Sequence, residues 1–129
     1  MKIKRITSAK EERNLNGIKY EKESMGKAIA EYLGRDDIGR SSQEIIDYKL
    51  IQNTDKFFSV DASKVIGTVT DIDDDYVYIT PIEQYENVIN PSDYQAAFRM
   101  VGESSDNGEC IINKIIAVDL IKNNEKVEQ

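Results

Sequence analysis

The chain of 129 residues contains no histidine and no tryptophan, one cysteine and two prolines. Without histidine there can be no Ser/His or Cys/His nucleophile pair. The side chain that ordinarily titrates near neutrality is missing as well, and one cysteine cannot build a zinc site. The single Cys110 excludes an internal disulfide and fits a reducing compartment. No apolar run approaches the ~20 residues of a membrane-spanning helix. The opening MKIKRITSAKEERN lacks the apolar centre of a signal peptide, so the expectation is a soluble protein with no membrane partner. The routes left to catalysis are carboxylate pairs, lysine amines or an oxygen-ligated metal. The expectation is a chain that is not an enzyme and needs no cofactor.

What is present describes a folded domain. Hydrophobic residues make up 40% and charged residues 32% of the chain, a globular rather than a disordered balance. A chain of this length buries roughly 65–70% of its extended surface, enough for one core. With 17 basic and 24 acidic side chains the net charge is −7, which disfavours nucleic acid, a ligand held chiefly by Lys and Arg on its phosphates. The exception is the start, where Lys2, Lys4, Arg5, Lys10 and Arg13 concentrate positive charge. Residues 1–20 therefore read as a basic arm and its cations as candidate partner-binding residues, with a solvated tail as the ordinary alternative. Residues 21–122 read as one domain and 123–129 as a polar tail.

Within the arm, KIKRI alternates as an edge strand or an extended segment would. In YEKESMGKAIAEYLG, Met25, Ala28, Ile29, Tyr32 and Leu33 fall at helical spacing before Gly34, predicting a helix over 21–33. Ser41 and Glu44 have capping-box spacing ahead of Ile45 and Ile46, predicting a second helix over 42–51. The character then turns to β: KFFSV, then SKVIGTVTDI and YVYITPI as a hairpin around an acidic turn, AAFRMVG, and a long, buried CIINKIIAVDLI. QYENVINPSDY reads as a connection with short helical or turn elements. Helices grouped ahead of strands predict an α+β fold whose core is a small barrel or sharply curved sheet.

Several clusters invite a chemical reading. Asp71, Asp73 and Asp75 have the first ligand spacings of a calcium loop, but Tyr76 stands where the turn needs glycine and Ile82 where a bidentate glutamate belongs. They read better as a solvated hairpin turn. Ser41, Ser42, Ser104 and Ser105 lack a base, and capping or turn chemistry accounts for them. Cys110 reads as a small, partly buried hydrophobe, and Tyr76 and Tyr78 as one face of a half-exposed strand. Arg99, alone in the apolar stretch YQAAFRMVG, must either face solvent or be paired, because an unpaired buried charge costs several kcal/mol.

In order along the chain, NLNGIKYEKESMGKAIAEYLG, SKVIGTVTDIDDDYVYITPI and AAFRMVGESSDNGECIINKIIAVDLI resemble segments of the prohead core (maturation) proteases of tailed phages. The fold of that family resembles the herpesvirus capsid protease barrel. Asn16, Gly17 and Tyr20 match its opening, and Arg99, Gly102, Asp119 and Leu120 its Ser-Ser-Arg-Gly strand and closing strand. The family's histidine is missing from GRSSQEIID, and Ala97 or Phe98 stands in place of its nucleophilic serine. The resemblance thus implies a protease-like barrel without the protease, with Ala97, Phe98 and Arg99 as the degenerate site. It implies a structural virion protein, auxiliary to or decorating the capsid, with the major capsid protein as partner. On that view the chain is soluble in the host cytoplasm before assembly and is oligomeric on the shell. The alternatives are a small binding or inhibitory protein acting on a host or assembly partner, and an enzyme running on carboxylates or a metal.

Overall fold

The computed structural model describes residues 1–6, 19–44 and 55–123. Six strands close a barrel: β1 (Lys2–Arg5), β2 (Ser41–Glu44), β3 (Val65–Ile72), β4 (Tyr76–Pro81), β5 (Tyr94–Ser104) and β6 (Cys110–Lys122), in the spatial order β1-β4-β3-β2-β6-β5. One α-helix, α1 (Lys22–Leu33), accompanies them among the described residues. The fold is α+β with a small barrel as its core, and no described helix is long and apolar enough to cross a membrane.

The hairpin β3–β4 and the ribbon β5–β6 are antiparallel and local, whereas β1 pairs in parallel with β5 and β2 in parallel with β6. Alternation along the strands fills the interior with Ile3, Ile66, Val69, Val77, Ile79, Ala96, Ile112, Ile115, Val118 and Leu120. A Thr70 bulge in β3 and two irregularities in the β5–β6 pairing supply the bending that closure requires.

β2 has only four residues, so β3 and β6 part company beyond its start, and α1 fills the gap. Ser24, Met25, Ala28 and Tyr32 form its buried face. The exposed edge of β6 finds substitutes for a neighbouring strand, as buried backbone groups must. Cys110 N donates to Lys19 O, Glu21 N donates to Cys110 O, Ile112 N donates to Ser24 Oγ, and Arg35 Nη1 donates to Ile115 O at 2.8 Å. Across the gap, Arg40 Nε and Nη2 donate to Val69 O on β3. The Tyr32 hydroxyl donates to Gly39 O at 2.6 Å, and burial pushes its pKa upward. A Cβ at Gly39 would lie 2.8 Å from Ile116 O, so a side chain there would push this link off β6.

Three expectations are corrected. The segment read as a helix over 42–51 begins as β2, because the edges of β3 and β6 outbid a local cap: Ser42 pairs with Gly67, Gln43 with Val65 and Asp119. Residues 45–51 lie outside the described residues. KFFSV is not a strand, since Asp55–Phe58 forms a 3-10 turn with Phe57 and Phe58 edge to face, centroids 5.2 Å apart. The basic arm is not separate at its start: Lys2–Arg5 is a barrel strand flanked on both sides by β4 and β5, so it is neither arm nor edge. Residues 7–18 lie outside the described residues. The helix predicted over 21–33, the hairpin, β5 and β6 are found where expected, and the connection before β5 contains 3-10 turns at Glu83–Tyr85 and Pro91–Asp93. Of the polar tail, Asn123 is tied to Asp93 O and Ser92 O, and 124–129 lie outside the described residues.

Candidate functional site

Arg99 is inside the protein. It is 0% exposed, as is Asp119, and its Nε lies 2.9 Å from Asp119 Oδ2. The register explains the meeting. Asp119 on β6 is the Cα partner of Ala97 on β5 and of Gln43 on β2, while Arg99 is the partner of Ala117. Val118 and Leu120 belong to the barrel interior, so alternation turns Asp119 and its neighbours to the outer wall. The small side chains of Ala97 and Ala117, both fully buried, leave the room that the guanidinium occupies.

A lid of chain makes this outer wall an interior. Arg99 Nη1 donates to Phe57 O at 2.9 Å and to Ser59 O at 2.8 Å, and Gln43 Oε1 accepts from Asp61 N at 2.7 Å. Residues 57–61 are therefore hooked across β2, β5 and β6 by polar side chains. Desolvation pushes the Asp119 carboxyl up to about 7 although Arg99 favours its ionised form.

The positions on which the protease resemblance turns thus lie together, with Ala97 and Arg99 on β5 and Gln43, from the segment that lacks the family's histidine, two strands away across Asp119. Phe98 is half-buried, packed against the interior cluster. None of these groups is a nucleophile or a free base, and the ion pair is sealed from any substrate. The nearby Ser42 is buried, and its hydroxyl has no hydrogen-bond partner among the described residues. The arrangement braces the lid through Arg99 and Gln43.

The other candidates separate. Asp73 ends in turn chemistry: its carboxylate accepts from Asp75 N, Tyr76 N and the Tyr78 hydroxyl, which holds its pKa below the usual carboxylate range. Asp71 accepts from Ile72 N. No cluster of three or more metal-ligating side chains occurs among the described residues. Of the basic residues, Lys2 stands over the Tyr76 ring at 4.5 Å, Lys4 is exposed, and Lys10 and Arg13 lie outside the described residues. Arg5 is a correction, being 3% exposed, pointed into the barrel mouth and stacked on Phe98 at 4.8 Å, and so withdrawn from any surface patch.

Asp119 as the partner of Arg99 was accessible to sequence only as one acid in an apolar strand, since the register that joins them is non-local. A groove missed by sequence reasoning lies beside the lid, lined by Arg35, Ile38, Phe58, Val60, Lys114 and Ile116 among others, with Phe58 69% and Ile38 49% exposed. Comparison with protein-family models, with curated proteins and with solved structures gave no match.

Proposed function

We propose that this chain is a non-catalytic structural protein of a tailed-phage particle, a protease-like barrel that decorates or reinforces the capsid by binding the major capsid protein. The observation that carries the reading is the meeting of Ala97, Arg99 and Gln43 around buried Asp119. The resemblance puts its arginine at Arg99, its nucleophile at Ala97 or Phe98 and its histidine within the segment that contains Gln43; Arg99 and Gln43 hold the lid and Ala97 leaves room for the guanidinium. The groove with exposed Phe58 and Ile38 offers apolar area of the kind that partners cover.

The test is mass spectrometry of purified particles of the phage that encodes the chain. A stoichiometric, particle-bound chain is expected, together with no hydrolysis of capsid or scaffold protein by the purified chain. Particles free of it would overturn the reading, and capture of a single host protein in place of capsid protein would favour an inhibitory binding protein.

A further inference from the structure

A cavity of about 330 Å³ opens at the barrel mouth between the end of β1, the first two turns of α1 and the β3–β4 turn, lined chiefly by Arg5, Tyr20, Met25, Gly26, Ile29 and Ile72. Its size is at the small end of ligand pockets, and barrel mouths are a usual place for them.

Its floor holds polar groups that the protein leaves incomplete. Arg5 is 3% exposed and Tyr20 4%. Arg5 Nη1 donates to Asp73 O at 2.8 Å and the Tyr20 hydroxyl lies beside the guanidinium, but among the described residues neither Arg5 Nε nor that hydroxyl completes a well-aligned hydrogen bond. No carboxylate among the described residues forms an ion pair with this guanidinium, unlike Arg99, Arg35 and Lys27. A buried cation without an anion is costly, and an anion arriving beside it recovers that cost. The start of α1 is also at the cavity, and its N-cap Glu21 makes no side-chain cap, so the positive end of the helix adds to the attraction. The remaining walls, Met25, Ile29 and Ile72, are apolar. Of the two acids at the rim, Asp74 is exposed and attracts Arg5 without forming an ion pair, and the Asp73 carboxylate is already occupied by its own turn.

We infer that this cavity binds a small monocarboxylate with a short apolar tail, its carboxylate bridging Arg5 Nε and the Tyr20 hydroxyl and its tail lying against Met25, Ile29 and Ile72. The site is independent of the lid over Arg99 and of the structural role proposed above.

The experiment titrates the full chain with sodium hexanoate and, separately, with hexylamine of equal tail length, reading backbone amide shifts and thermal midpoint. Hexanoate is expected to saturate in the millimolar range, to move the amides of Tyr20, Gly26 and Asp73, and to raise the midpoint, while hexylamine does neither. Equal responses to both, saturating shifts elsewhere, or no saturable response would overturn the inference. Because Arg5 also holds the Asp73 carbonyl, Gly26→Leu is the decisive variant. A Cβ there meets nothing within 4 Å, leucine favours the helix over glycine, and the longer side chain fills the cavity. It should keep or raise the midpoint and abolish the hexanoate response, and an unchanged response overturns the site. Tyr20→Phe should weaken binding up to about tenfold. Asp74→Asn should strengthen it at low salt, the gain disappearing as salt rises.

Discussion

Among the described residues two arginines are buried in this small barrel, and they are buried differently. Arg99, on the outer wall, has Asp119 at 2.9 Å and the carbonyls of Phe57 and Ser59 around it. Arg5, at the mouth, has one carbonyl, the face of Phe98, the Tyr20 hydroxyl beside it and only the unpaired attraction of Asp74 and Asp73, with its Nε left open. A guanidinium keeps its proton in any protein environment, so each site must accommodate the charge. The first does so with a built-in counter-ion and closes over it, which suits a structural role. The second leaves the counter-ion to be supplied, which suits a binding role.

The largest effect should come from removing the counter-ion where it exists. At pH 8, where Asp119 is ionised, Asp119→Ala is expected to cost about 3–5 kcal/mol, the usual penalty for stranding one member of a buried pair, read by urea unfolding. A loss below about 1 kcal/mol would mean that water reaches Arg99 and that the lid is not closed. The pH dependence follows. The Asp119 carboxyl titrates at about 7 in the folded protein and near 3.9 when unfolded. Between those values the folded state holds the extra proton, so the stability this group contributes is present below about pH 4 and is lost as pH rises through about 7. Urea midpoints from pH 4 to 8 should show that decline, and Asp119→Asn should flatten it.

At the other arginine the effects should be smaller. Arg5→Met exchanges one hydrogen bond and a ring contact for relief from desolvation, and is expected to change stability by no more than about 1.5 kcal/mol, well under the Asp119 effect in the same assay. A loss as large as that of Asp119→Ala would show that Arg5 is a structural brace after all. Smallest is Tyr20→Phe, which removes a buried hydroxyl that lies beside Arg5 without a well-aligned hydrogen bond among the described residues. It should leave the unfolding midpoint within about 0.5 kcal/mol of the parent or slightly raise it.

How far the sequence discloses this architecture depends on the range of the forces concerned. The α1 stripe of Met25, Ala28 and Tyr32 and the hairpin around Asp73–Asp75 are local patterns, and each is found where its spacing places it. β2 is not legible, because the Ser41–Glu44 spacing favours a helix cap locally, and two strands distant in sequence decide the matter. The same holds for the candidate site. Arg99 is conspicuous as a lone charge in an apolar run, but its partner is fixed by the β5–β6 register and its cover by residues 57–61. Arg5 is hidden in the opposite way, since a cation among cations reads as surface until Ile3, two residues before it, is seen to face the interior.

The two four-residue strands have a consequence for how the molecule comes into being. β1 and β2 are made early, yet each sits beside a strand made late, β1 against β5 and β2 against β6. A nascent chain emerging from the ribosome can form α1 and then the β3–β4 hairpin, but it has no ring until Asp119 and Leu120 have cleared the exit. Synthesis and folding are therefore out of step in this protein. β1 can add to β4 once the hairpin exists, but its other edge waits for β5 and the β2 seam waits for β6, and slow, non-local closure exposes the half-built sheet to neighbouring chains for longest at high expression.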